Sequence, residues 1–353
     1  MEIDFFQNNI RGFILGMAFT FGFSACNSPV DDQKTAQLSA DYWNYPDSSL
    51  RNTGGIRMIP VQTPNGTVKV WTKRIGNNPE IKVLLIHGGP GGTHELFECF
   101  DGYLPAAGIE YIYYDQSGTY YSDPLPDSSL WTIDHYVKEI EQVRKALGLD
   151  STNFFLLGQS AGGIFAMEYA LRYQQHLKGL IVSDMMASVP DYNLYAQQVL
   201  GPAMPAKVWQ EIKQLEAKAD LTNPRYEELL FEHYYTQHLL RKPISDWPES
   251  VQRAFKHLTG TIYVHMQGHS ELGITGNATL KNWDIKERIK EIRVPSLFVC
   301  GSHDTMDPEQ MRWMSEEVEQ GNFLLCPNSG HIVQYDAPEV FFPGIISFLR
   351  NVN

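Results

Sequence analysis

A chain of 353 residues, 43% apolar and 20% charged, has the length and composition of one large α/β domain with an insertion, or of two small globular domains. Its formal net charge of −13 argues against a nucleic-acid partner, whose phosphates call for basic surface. The sequence contains no internal repeat, no low-complexity tract and no run of like charge, so it suggests neither a solenoid nor a charged interaction tail.

The first element in chain order is an apolar stretch from Gly12 to Ala25, too short to span a bilayer comfortably. It closes on Phe23-Ser24-Ala25-Cys26, and polar sequence begins at Asn27. Small residues before a cysteine, after an apolar core, resemble a bacterial lipoprotein signal. That resemblance implies removal of residues 1–25, lipidation of Cys26 and an exported protein at the cell envelope, anchored by lipid or periplasmic. Residues 26–50, polar and without period, read as a tether. Glu2 and Asp4 outnumber the single Arg11 where a signal is ordinarily positive, so a plain signal peptide or an uncleaved anchor is the alternative. Cys99, Cys300 and Cys326 are too few for a disulfide framework and lack the spacing of a metal site. Cys300 and Cys326 both end predicted strands. Buried thiols are expected there, with a single bridge as the alternative.

Ile56 to Val70 reads as two strands about the turn Thr63-Pro64-Asn65-Gly66. Ile81 to Ile86 is a buried strand running into His87-Gly88-Gly89-Pro90-Gly91-Gly92, and Ile109 to Tyr114 is another, ending at Asp115-Gln116-Ser117-Gly118. Ile133 to Leu147 has helical spacing, with Val137, Ile140, Val143 and Leu147 on one face and Glu139, Glu141 and Arg144 off it. The strand Phe154 to Leu157 leads to Gly158-Gln159-Ser160-Ala161-Gly162-Gly163 and a helix-compatible run to Tyr173. Leu177 to Ser183 is the next strand. From Pro190 the strand pattern stops, and helical stretches rich in Tyr, His and Glu are broken by five prolines up to Asp284. Val294 to Cys300 resumes the strand pattern. A helix from about Pro308, a strand Asn322 to Cys326 and a last helix from about Pro338 complete the chain. Strands alternating with helices predict a mostly parallel central sheet with helices on both faces. The segments are residues 51–189 and 286–353 for the core and 190–285 for a helical cap.

Chemistry in such sheets gathers at the carboxyl ends of the strands. Gly-x-Ser-x-Gly between a strand and a helix is a nucleophile elbow, in which the chain turns sharply and holds the serine hydroxyl out over the sheet. A serine hydroxyl needs a base, and the base a carboxylate to orient it. The order Ser160, Asp304, His331, each just after a predicted strand, is the order of a catalytic triad in the α/β-hydrolase fold. Asp184, after the preceding strand, is a second candidate for the acid. Asp307 before Pro308 reads instead as a helix cap. Donors for an oxyanion are expected from the backbone N–H groups of Ala161 and Gly89. The glycine loop at 88–92 lacks the Gly-Lys-Ser/Thr and Gly-x-Gly-x-x-Gly patterns of phosphate binding.

His87-Gly88-Gly89-Pro90-Gly91, Asp115-Gln116-x-Gly118, Gly158-x-Ser160-x-Gly162-Gly163, Gly301-x-x-Asp304 and Gly330-His331 together resemble the proline iminopeptidases, α/β-hydrolases that remove amino-terminal residues. Within the cap, Tyr235-x-x-His238-Leu239-Leu240-Arg241, Gly268-x-x-Glu271 and Asn282-Trp283-Asp284-Ile285 are similar to the tricorn-interacting aminopeptidase branch. Ala161 departs from the aromatic residue common after the nucleophile in that family. The resemblance implies a serine aminopeptidase acting on short peptides with a free amino terminus, with proline or a hydrophobic residue first. It implies a Ser160 nucleophile, a His331 base oriented by Asp304, and no metal or organic cofactor. It also implies a carboxylate under the cap for the substrate amine, with Glu271 the leading candidate and Glu232 and Glu228 the others. An esterase or amidase for small amino-acid derivatives, and a non-catalytic envelope binding protein, are the competing readings on the same scaffold.

Overall fold

The computed structural model describes residues 42–352 apart from 46, 126, 219 and 222; the signal-like segment and Cys26 lie outside the described residues. Eight strands form one sheet in the order β1-β2-β4-β3-β5-β6-β7-β8. The hairpin β1 (Ile56–Thr63) and β2 (Gly66–Ile75) turns where the sequence predicts, with Thr63 opposite Gly66. β2 pairs antiparallel with β4 (Glu110–Tyr114). From there β3 (Lys82–Ile86), β5 (Phe154–Gln159), β6 (Gly179–Ser183), β7 (Ser296–Gly301) and β8 (Gly321–Cys326) all run parallel.

Side chains alternate across a strand, so each strand feeds two cores. Leu84, Ile86, Leu156, Leu180, Val182 and Phe298 pack on one face with the helices Ile133–Leu147, Ala161–Tyr173 and Pro308–Glu317. Val83, Leu85, Phe155, Leu157, Ile181 and Val299 pack on the other with the carboxyl-terminal helix Pro338–Asn351. Strands covered on both sides read as unbroken apolar runs, as these do.

The helix Ile133–Leu147 is capped by the Thr132 hydroxyl and ends at a left-handed Gly148. Val137, Ile140 and Val143 are buried as expected, but so are Glu139, Glu141 and Arg144. Those three are paired side chains that stay charged or hydrogen-bonded below the surface, which a polarity pattern cannot distinguish from solvated ones. Glu139 Oε1 takes the Ser117 N–H at 2.9 Å and the Tyr114 hydroxyl. Arg144 grips Glu141 with two N–H groups at 2.7 and 2.9 Å, and Tyr169 adds its hydroxyl at 2.8 Å.

Between β6 and β7 the described chain is helical, and the ends of this insertion are stitched together by Val189 N–H to Trp283 O and Ile285 N–H to Ala187 O, each 2.9 Å. It has its own core, built around Trp209, Ile212, Tyr226, Leu229, Leu230 and Leu240. The helix Pro224–Leu230 continues through wider π-helical turns over Phe231–Leu239. Cys99, Cys300 and Cys326 are free thiols, so the alternative of a bridge between the last two is not realised. Among the described residues no helix is long and apolar enough to cross a membrane.

Burial alone raises the Glu141 pKa, but hydrogen bonds from Arg144, Tyr169 and Lys145 outweigh it and hold the carboxyl at about 2. A folded-state pKa below the unfolded value of about 4.3 adds stability above that value, and the gain is lost as pH falls through 2. Arg144→Ala removes the principal donor. It is expected to destabilise the fold by about 3 kcal/mol at neutral pH and to move acid unfolding to higher pH. Denaturant melts at pH 7 and an acid titration followed by circular dichroism measure both, and an unmoved acid midpoint contradicts the assignment.

Candidate active site

Ser160 sits at the end of β5 with φ 55° and ψ −130°, a backbone conformation that side chains rarely adopt. Close packing forces it. A Cβ on Gly158 meets Gly162 O at 2.2 Å, and one on Gly162 meets Ile86 O at 2.2 Å. Only glycine lets strand and helix pass at that distance. The helix Ala161–Tyr173 begins immediately after Ser160 and directs its partly positive end to the serine.

His331 and Asp304 come from the loops after β8 and β7, and His331 lines the cavity while Asp304 sits beneath it. His331 Nδ1 lies 2.7 Å from Asp304 Oδ1, and the aspartate is fully buried. The Met306 N–H and the Thr305 hydroxyl reach the same oxygen at 3.1 and 3.3 Å. Asp184, the second candidate for the acid, is not the partner of His331; it lies behind Asp304, also fully buried. Asp307 caps the next helix through the Glu309 N–H, as expected. Ser160 and His331 line one cavity. Neither Ser160 Oγ nor His331 Nε2 has a hydrogen-bond partner among the described residues, so both remain available to a ligand. Links of this kind are often long in free enzymes and tighten on substrate.

The loop after β3 runs beside the elbow. A Cβ on Gly88 falls 2.6 Å from Ser160 Cβ. Gln116 braces this loop, donating its side-chain amide to His87 O at 2.9 Å and its backbone N–H to His87 Nε2 at 3.2 Å. Burial lowers the His87 pKa, which keeps the ring neutral and able to accept. The N–H groups of Gly89 and Ala161 have no acceptor among the described residues, and both residues line the cavity. Two unpaired donors beside a serine suit an oxygen that acquires negative charge.

The cap closes the other side. Glu271 lines the cavity, so part of its surface stays open although protein surrounds it, and it is the one carboxylate among the described lining residues. Burial pushes its pKa up, against the Tyr263 hydroxyl, the His331 imidazole and Tyr235. The other two glutamate candidates are not in the site. Glu228 is exposed and paired with Arg225 at 2.8 Å; Glu232 is exposed beside His233. Their helix turns Tyr226, Leu229, Tyr234 and Tyr235 inward, and the glutamates fall on the solvent side.

The sequence reading passed over several residues that hold the site together. Gln159 donates to His331 O at 3.2 Å. Tyr192 donates to Glu271 O at 2.8 Å, fixing the loop that carries the carboxylate. His238, far in sequence from any strand end, is the docking point of the cap. Its Nδ1–H donates to His303 O at 2.9 Å, while His238 O and Leu239 O accept from His331 N–H and Ile332 N–H at 2.8 and 2.9 Å. Local spacing gave no signal for this, because the contact joins segments about ninety residues apart.

The matching family model, α/β-hydrolase fold, spans residues 82–338 and thus both halves of the core and the cap. The strand order and the elbow define the class: an α/β-hydrolase. A proline iminopeptidase from Flavobacterium johnsoniae is 53% identical over 296 residues, covering 84% of this chain and 98% of the relative. The chain belongs to the proline iminopeptidase family. Two crystal structures, of VinJ and of a proline iminopeptidase from Mycobacterium smegmatis, superpose with TM-scores of 0.76 and 0.74 at 26% identity, over 84% of this chain and 99% and 97% of theirs.

Gly88→Ala tests the tight passage at the elbow. Pushing Ser160 aside is expected to slow its labelling by a fluorophosphonate about a hundredfold while the protein stays folded. Labelling at the wild-type rate in a folded variant shows that the loop yields and that the contact does not set the serine's position.

Proposed function

We propose that this protein is a serine aminopeptidase that releases an amino-terminal proline or hydrophobic residue from short peptides. The observation that carries the reading is the buried Asp304–His331 pair in the cavity of a strained serine, roofed by a cap whose only carboxylate at the cavity is, among the described residues, Glu271. The likeness to relatives named proline iminopeptidase supports the same activity.

In this reading Ser160 Oγ attacks the carbonyl carbon of the first residue, and His331 Nε2 takes the hydroxyl proton. Asp304 holds the Nδ1–H and stabilises the imidazolium. The oxyanion is held by the N–H groups of Ala161 and Gly89. Collapse breaks the C–N bond, and His331 gives its proton to the leaving amine. Water, activated by the same imidazole, then hydrolyses the acyl-enzyme and restores Ser160. Glu271 pairs with the substrate's ammonium group, which places the first carbonyl at the serine and excludes chains whose amine is blocked. Apolar and aromatic lining, including Met185, Phe255, Leu258 and Ile274, suits a proline ring or a hydrophobic side chain.

Aminoacyl-anilides with free and acetylated amino ends test this reading. Free-amine proline and leucine substrates are expected to turn over and their acetylated forms to fail. Glu271→Gln is expected to lower kcat/KM about a hundredfold for free-amine substrates, mainly through KM. Equal turnover of acetylated substrates points to the esterase or amidase alternative. A folded protein whose Ser160 takes no fluorophosphonate is instead a binding protein.

The same proposal includes export and a lipid anchor at Cys26, based on the apolar run and the small residues before the cysteine. The full-length chain is expected to take up labelled palmitate in a bacterial host and to sediment with membranes. Cys26→Ser is expected to lose both, and unchanged sedimentation of the variant argues for a different anchor.

A further inference from the structure

Among the buried acids that the mechanism does not use, Asp184 is the one beside the triad. Asp184 directly follows β6 with φ 57°, and both it and Asp304 are 0% exposed. All the donors that reach Asp304 come to Oδ1: His331, Met306 N–H and Thr305. Asp304 Oδ2 has no partner, nor does Asp184 Oδ1, although Asp184 Oδ2 accepts from the Ser183 hydroxyl at 2.5 Å. β6 and β7 lie side by side, and the Asp184 N–H bonds Val299 O at 2.8 Å, which sets Asp184 next to the β7 loop that carries Asp304. Each therefore has one spare oxygen, and the two residues are neighbours.

Two carboxylates in a dry site cannot both hold charge without a cation between them. Among the described residues no lysine or arginine forms an ion pair with either carboxyl. The other titratable groups that face the pair are the thiols of Cys300 and Cys326, the phenols of Tyr192 and Tyr195, and the rings of His238 and His331. Burial keeps the thiols and phenols protonated and lowers the His238 pKa. One proton must sit on the pair. Asp304 already has three donors that favour its charge, so the proton belongs to Asp184. Burial and the neighbouring charge of Asp304 raise the Asp184 pKa well above its ordinary value, which agrees.

The geometry points to Asp184 as a positioning residue of the triad: a neutral carboxyl that donates to Asp304 Oδ2 and fixes the carboxylate with Oδ1 turned to His331. This rests on the reading of Asp304 as the triad acid. Removing the donor leaves a buried oxygen unpaired and makes the Asp304 carboxylate more basic. The imidazolium of His331 is then stabilised and loses its proton only at higher pH.

The pH dependence of Ser160 labelling by a neutral fluorophosphonate measures this directly, because labelling needs a neutral His331 and no substrate amine. Asp184→Asn keeps a donor and an acceptor, and is expected to label within about threefold of wild type with the acid limb unmoved. Asp184→Ala is expected to label about tenfold more slowly, with the limb moved up by about one pH unit. An alanine variant that behaves like wild type overturns the proposal, as does an asparagine variant that falls as far as alanine, since charge and not the donor then matters. Asp304→Asn separates the two levels: if it labels normally, the triad reading itself is wrong. Should Asp184→Ala not fold, infrared difference spectra of wild type against Asp184→Asn report the carboxylic-acid C=O band. Its presence at pH 7 supports the proposal and its absence refutes it.

Discussion

Everything at the site depends on how closely β5 and the following helix pass. The backbone turns at Ser160 through a conformation that is strained for any side chain, and it does so because Gly158, Gly162 and Ile86 leave no room for another path. That crossing fixes three things at once. It lifts the hydroxyl off the sheet, frees the Ala161 N–H at the start of a helix, and brings the loop after β3 against the serine. The strain is maintained by a sheet whose central strands are buried on both faces, so the local distortion has a stiff frame to oppose it.

The second half of the machinery is held by the cap. Backbone carbonyls of His238 and Leu239 accept the N–H groups of His331 and Ile332, and Ile332 itself packs in the cap core. The loop carrying the base is therefore part of two structures, the sheet edge and the cap. At the opposite rim Arg253 of the cap pairs with Glu98 and Glu95 of the core. A cap fastened at both rims suits the proposed aminopeptidase, in which entry is limited to a chain end and Glu271 would select that end by charge. In this account, cap and triad form one unit: movement of the cap and its His238 away from the core also moves the loop that carries His331.

Most of the sheet was legible in the sequence, because strands covered on both faces appear as apolar runs and the glycine-rich turns mark their carboxyl ends. Ser160, Asp304 and His331 could be read for the same reason: each follows such a run. Three kinds of feature were not legible. Glu139, Glu141 and Arg144 look like a solvated helix face, and only their partners on other elements reveal that they are buried. Glu228 and Glu232 could be told from Glu271 only by the path of the cap helices, because an aromatic-rich helix shows which residues are apolar but not which cavity they face. His238 docks the cap through contacts with segments far away in the chain, and spacing along the chain carries no trace of those.

The most direct test of the account is a crystal structure with a proline-like boronic acid, whose boron adopts the tetrahedral geometry of the reacting carbon. The account predicts boron bonded to Ser160 Oγ, one boronate oxygen between the N–H groups of Gly89 and Ala161, and the ring nitrogen against the Glu271 carboxylate. A boronate held elsewhere, or one bonded to Ser160 with its nitrogen turned away from Glu271, contradicts it.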